Sequence, residues 1–108
     1  LLDDLRREDP SLEATMECFF AREPFEVAPD APIVSTLAEA ATKTLGRRPE
    51  MIGDTPWMDS ALLAAAGVET VVFGPTGAGA HAAVEWVDVE SVYQCAEVLA
   101  ATAQSYCS

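Results

Sequence analysis

The sequence predicts an α/β protein with a mostly parallel sheet from residue 30 onward, preceded by the end of a separate small α+β unit, with the boundary in the Pro24–Pro29 connector. Three observations carry this prediction. From residue 30 onward, helical apolar stripes alternate with short β-branched runs, the order of elements that builds a parallel sheet. Proline and glycine punctuate those elements at their starts and stops. The first 20 residues follow another rule, a helix and then a segment with a period of two, and the prolines Pro24 and Pro29 bracket the connector between the two parts.

Taken in order, residues 1–8 have the pattern of the last turns of an amphipathic helix with no cap in front, so the chain is expected to begin within an element. This helix should stop at Asp9-Pro10, because a residue before proline is disfavoured in the helical region. In residues 12–20 Leu12, Ala14, Met16, Cys18 and Phe20 alternate with Glu13, Thr15 and Glu17, the pattern of a strand with one solvated face. Asp30 is the expected N-cap of a helix reaching Leu45, with Pro32 in its first turn. Ile33, Leu37, Ala40, Ala41 and Leu45 form its stripe, and Gly46 is the expected stop.

Met51 and Ile52 suit a short strand. Thr55-Pro56 repeats the cap-plus-proline signal for a helix through Ala66, ended by Gly67. Residues 68–73 are β-branched and read as a buried strand. A glycine-rich loop, residues 74–80, leads to His81. Asp88 is the expected cap of a last helix with Val92, Cys95, Ala96 and Leu99 on one face. There is no internal repeat.

Composition narrows the function classes. Half the residues are hydrophobic, so the chain is globular in character. Eighteen acidic residues against six Lys and Arg give a formal net charge of -12. That charge repels phosphate backbones and anionic lipid, so neither nucleic acid nor membrane is an expected partner. No apolar run nears the roughly 20 residues of a membrane span, and the first residues lack the basic and apolar regions of a signal peptide. Cys18, Cys95 and Cys107 are odd in number and far apart, which fits inert thiols in a reducing cytoplasm better than a disulfide framework.

Nucleotide chemistry is excluded by the loop. It lacks the Lys and Ser/Thr of a phosphate-binding loop, and Gly77-Ala78-Gly79 has no third glycine at a dinucleotide offset. No Gly-x-Ser-x-Gly elbow is present. His81 follows a loop at the C-terminal end of an expected buried strand, the edge where α/β sheets bind ligands, and a neutral imidazole is the commonest protein ligand of transition metals. Spacing alone leaves two readings, a metal ligand or a histidine in an ordinary surface loop.

Several blocks in order carry a resemblance: Trp57-Met58-Asp59-Ser60-Ala61-Leu62-Leu63, then Ala66-Gly67-Val68, Val72-Phe73-Gly74-Pro75, and Gly79-Ala80-His81-Ala82-Ala83-Val84-Glu85-Trp86-Val87. Together they resemble the C-terminal signature of the co-catalytic di-zinc metallopeptidases and deacylases. That family includes acetylornithine deacetylase, succinyl-diaminopimelate desuccinylase, aminoacylase and carboxypeptidase G. The resemblance implies that residues 1–27 end a ferredoxin-like lid or dimerisation domain and that residues 28–108 are the C-terminal portion of the catalytic domain.

It also implies that His81 is a ligand of one of two zinc ions, with cobalt or manganese acceptable to the same imidazole. Asp59, Gly74, Pro75 and Gly79 are then expected beside the substrate pocket. Asp59 has a second reading, a helix-start carboxylate favoured by the dipole. Glu85 either orients the metal site through a hydrogen bond or is a surface carboxylate. Asp54 reads as a turn or cap residue, and Trp57 and Trp86 as packing residues. Arg47 and Arg48 read as solvated charges at a helix C-terminus, with a substrate carboxylate as the alternative.

The family's other ligands and its general base lie in a part with no counterpart here, so this chain alone is expected to be inactive. The expected whole is a cytoplasmic, homodimeric amide hydrolase of N-acyl amino acids or small peptides. Two rivals are a non-catalytic α/β interaction module and a self-sufficient small binding domain.

Overall fold

Local hydrogen bonding decides which elements form. A computed structural model describes all 108 residues, in the order α1 (Leu2–Glu8), α2 (Pro32–Leu45), α3 (Ser60–Ala65), β1 (Gly77–Ala78), β2 (Trp86–Val87) and α4 (Val89–Tyr106). In α1, Asp3 and Asp4 occupy the first turn and Arg6 and Arg7 the last, the arrangement favoured by the helix dipole. The pairs Asp3–Arg6 at 3.0 Å and Asp4–Arg7 at 2.6 Å bridge one turn. The helix stops at Asp9, which is extended ahead of Pro10 as the sequence predicts. Ser11 donates to the Asp9 carboxylate from its hydroxyl and its backbone N–H, holding that carboxyl below its ordinary pKa.

Helix α2 begins one residue later than expected. Ala31 is its N-cap instead of Asp30, and Pro32 starts the helix. Gly46 ends it in the left-handed conformation, φ 70°, with its N–H on the Thr42 carbonyl. Val34, Leu37, Ala38, Ala40 and Ala41 are buried, and Ile33 and Leu45 are half-buried. Helix α3 is shorter than the expected 55–66. The Asp54 side chain accepts from the Thr55 N–H, and helix begins only after Asp59, which is the N-cap and not a first-turn residue. Its end is a Schellman motif, Gly67 N–H on Ala64 O and Val68 N–H on Leu63 O, with Gly67 at φ 81°.

Helix α4 packs along α2. The core is Leu37, Ala40, Ala41 and Val98, with Leu45, Val71, Phe73 and Ala101 against it. The α4 side turned to that core is Ser91, Gln94, Cys95, Val98, Ala101 and Thr102. Of the expected face, only Cys95 belongs to it; Val92, Ala96 and Leu99 are exposed. The cause is that the more apolar side of α4 faces away from α2, and periodicity cannot say which side of a helix meets its neighbour.

Helices and short strands together agree with the α/β class. The only sheet within the chain is an antiparallel pair, Gly77 opposite Val87 and Ala78 opposite Trp86. The expected strands at 12–20, 51–52 and 68–73 have no ladder partner, and no parallel pairing is present among these residues. A strand needs a neighbour for its backbone groups, whereas a helix satisfies its own. In residues 68–73, Val71 and Phe73 touch the core while Val68 and Val72 face out. The radius of gyration is 19.9 Å, against about 13 Å for a compact domain of this length.

Candidate functional site

The two-residue strands β1 and β2 hold residues 79–85 as a tight loop, and this hairpin is fixed to α4 at its base. Asp88 N–H donates to the Thr76 carbonyl at 2.8 Å, and Thr76 N–H donates to Ser91 Oγ at 2.9 Å. Ser91 Oγ in turn donates to the Asp88 carbonyl at 2.7 Å. Asp88 also caps α4, its side chain accepting from Glu90 N–H at 3.0 Å. The first turn of α4 thus sets where the hairpin points. Sequence reading found the Asp88 cap but missed Thr76 and Ser91; a serine three residues after an aspartate cap is the signal that was available.

At the tip, Ala82 N–H donates to Gly79 O at 2.8 Å, closing a turn over 79–82. His81 takes the third position of that turn with φ 62°, the one non-glycine residue with positive φ. Histidine is among the residues that enter this region more readily than most, but the conformation is sparsely populated and costs energy. The imidazole is held, exposed, at the point of the hairpin. Gly79 has φ 80°, and a Cβ there would overlap the Val84 carbonyl oxygen. A Cβ on Gly77 would come within 2.5 Å of the Trp86 carbonyl oxygen. These two glycines let the limbs approach closely enough to pair.

The other expected site residues divide. Glu85 is exposed on the returning limb, next to Trp86. Gly74 and Pro75 line an open cavity of about 350 Å³ with Arg47, Phe73, Gln94 and Cys95. Asp59 and Gly79 lie outside that lining. Arg47, read from the sequence as a solvated charge, therefore borders a cavity, as does the half-buried thiol Cys95. Trp57 and Trp86, expected as packing residues, are both exposed; the Trp57 ring lies near the Arg22 guanidinium, 6.0 Å from the ring centroid, and its indole N–H donates to the Glu23 carbonyl at 3.3 Å.

A tetrahedral zinc takes three or four protein ligands in its usual sites. No group of three or more His, Cys, Asp or Glu side chains converges in this chain. Its residues therefore supply one candidate imidazole donor and do not by themselves fit a zinc site.

A family model described as peptidase family M20/M25/M40 matches residues 10–105. Among curated proteins, acetylornithine deacetylase of Myxococcus xanthus is 32% identical over 108 residues, an alignment covering 96% of this chain and 26% of that protein. The chain thus spans about a quarter of the length of the curated relative it matches. No solved structure matches.

Proposed function

Because this chain belongs to peptidase family M20/M25/M40, we propose that it is the C-terminal portion of a zinc-dependent hydrolase acting on the amide bond of an N-acyl amino acid or small peptide. The observation that carries the reading is the hairpin. A lone imidazole is displayed at its tip, in a strained turn built on two required glycines and fixed to a helix N-terminus. Such a turn suits a side chain that must reach a site assembled from elsewhere.

In this reading His81 gives one nitrogen to one of two zinc ions, and the remaining ligands and the general base come from the part of the protein this chain does not span. Paired metals of this kind polarise a carbonyl and supply hydroxide near neutral pH. The contribution of residues 28–108 is positional: the hairpin holds the imidazole, while Gly74, Pro75 and Asp59 border the substrate side. Glu85 orients the loop or its ligand. Residues 1–27 end the lid domain through which the complete protein dimerises, and the strands at 51–52 and 68–73 join a parallel sheet with the absent part. The 108 residues alone are inactive, and the complete protein works in the cytoplasm.

The test is intact-mass and zinc analysis of the native protein carrying this sequence, with His81→Ala made in that protein. The expected result is a polypeptide several times longer than this chain, two zincs bound, and loss of one zinc with most activity in the variant. Two tightly held zincs and near-normal rates in His81→Ala would remove the assignment. A native polypeptide of 108 residues without metal would favour the interaction-module reading instead.

A further inference from the structure

Helix α4 has two opposed sides, and the more apolar one faces outward. The inner side packs on α2 through Val98 and Thr102. The other is an unbroken stripe of Val89, Val92, Tyr93, Ala96, Leu99 and Ala103, all exposed, with Tyr93 at 65%. These positions fall three and four apart and form one face of a helix. Running from Val89 to Ala103, that face is about 22 Å long. Glu90 and Glu97 run down one edge of it, and α4 contains no lysine or arginine.

We propose that this outer stripe of α4 is a docking surface for an amphipathic helix with a basic margin, contributed by the part of a family-length protein that this chain does not span. The inference rests on the reading of the chain as a portion of a longer hydrolase and adds the joining surface and its partner's chemistry. Two observations, one of exposed area and one of length, favour that occupant. The chain exposes 8804 Å², where a folded protein of its mass exposes roughly 5,800 Å². The excess, on the order of 3,000 Å², is spread along the chain, and the outer stripe of α4 is one contiguous part of it. The curated relative has about three-quarters of its length outside the match, ample to supply a helix.

Charge selects against a second copy. Each chain carries a formal charge of -12, and an isologous pairing on this stripe would bring Glu90 and Glu97 towards their own counterparts. A helix with Lys or Arg beside its apolar face answers the same two carboxylates.

Hydroxyl-radical footprinting of the native protein, read at Tyr93 and Leu99 before and after unfolding in urea, tests this. Labelling in the folded protein should be at least fivefold below the unfolded level and independent of protein concentration. Labelling within twofold of the unfolded level would show the stripe to be solvated and overturn the proposal. Protection lost on dilution would assign the surface to a second copy and overturn it equally. Native mass is read from the same sample, so a long polypeptide with an unprotected Tyr93 leaves the hydrolase reading standing while this one fails.

Discussion

Tyr106 sits in the last turn of α4 and donates its hydroxyl proton to the Glu69 carboxylate, tying the helix end to the start of residues 68–73. That hydrogen bond, followed by desolvation and the charge of Glu69, holds the phenol above its ordinary pKa of 10.0. The neutral phenol is the bonding form. The contact therefore contributes fully below the ordinary tyrosine pKa and is lost as pH rises through the raised folded value. In a Tyr93→Phe background, a near-UV absorbance titration should show the Tyr106 midpoint falling when Glu69 becomes Gln, because the carboxylate that disfavours the phenolate is gone. An unchanged midpoint would remove this tie. His81 belongs to the same scale: its residue type was legible as a ligand candidate, while its positive φ was not, because the turn that imposes it is closed by Gly79 and Ala82.

At the scale of elements, α4 couples its own cap to the hairpin. Asp88 caps the helix with its side chain and holds Thr76 with its backbone N–H. Asp88→Ala is expected to cost about 1 kcal/mol, the usual value of such a cap, whereas Asp88→Asn should cost much less because an amide oxygen still accepts. Urea unfolding followed by helical circular dichroism distinguishes these outcomes; equal losses for both variants would count against capping as the cause. Helix starts show how far local signals reach. Pro32 and Gly46 bound α2 almost as the sequence predicts, because proline and left-handed glycine act through their own backbone. Thr55-Pro56 carried the same signal and did not start α3, since Asp54 closes a local bond there and the helix waits for Asp59.

Over the whole molecule, the buried core is small. Leu37, Ala40, Ala41 and Val98 form it, and three small or β-branched neighbours leave Leu37 as its largest member. Leu37→Ala should cost about 2–5 kcal/mol. That is a large share of the 5–15 kcal/mol typical of a complete domain, so in the 108-residue chain cooperative thermal unfolding should disappear from the helical signal. A melting transition displaced by only a few degrees would mean that the α2–α4 contact is not what orders the chain. The large exposed surface and the long radius of gyration share one cause, apolar segments at 12–20 and 68–73 and the outer side of α4 that this chain does not cover.

The sequence by itself determined the family, the four helices, the Asp88 cap, the two glycine stops and the candidate ligand His81. Each depends on a residue's own backbone preference, on a period of 3.6, or on a run of residues that persists in order. Tertiary structure alone decided which side of α4 meets α2, which of the expected pocket residues line one cavity, and how Thr76 and Ser91 fix the hairpin. Those outcomes depend on which surfaces are brought together. Helices close their hydrogen bonds within a few residues, whereas a strand such as 68–73 acquires its structure only from the neighbour beside it.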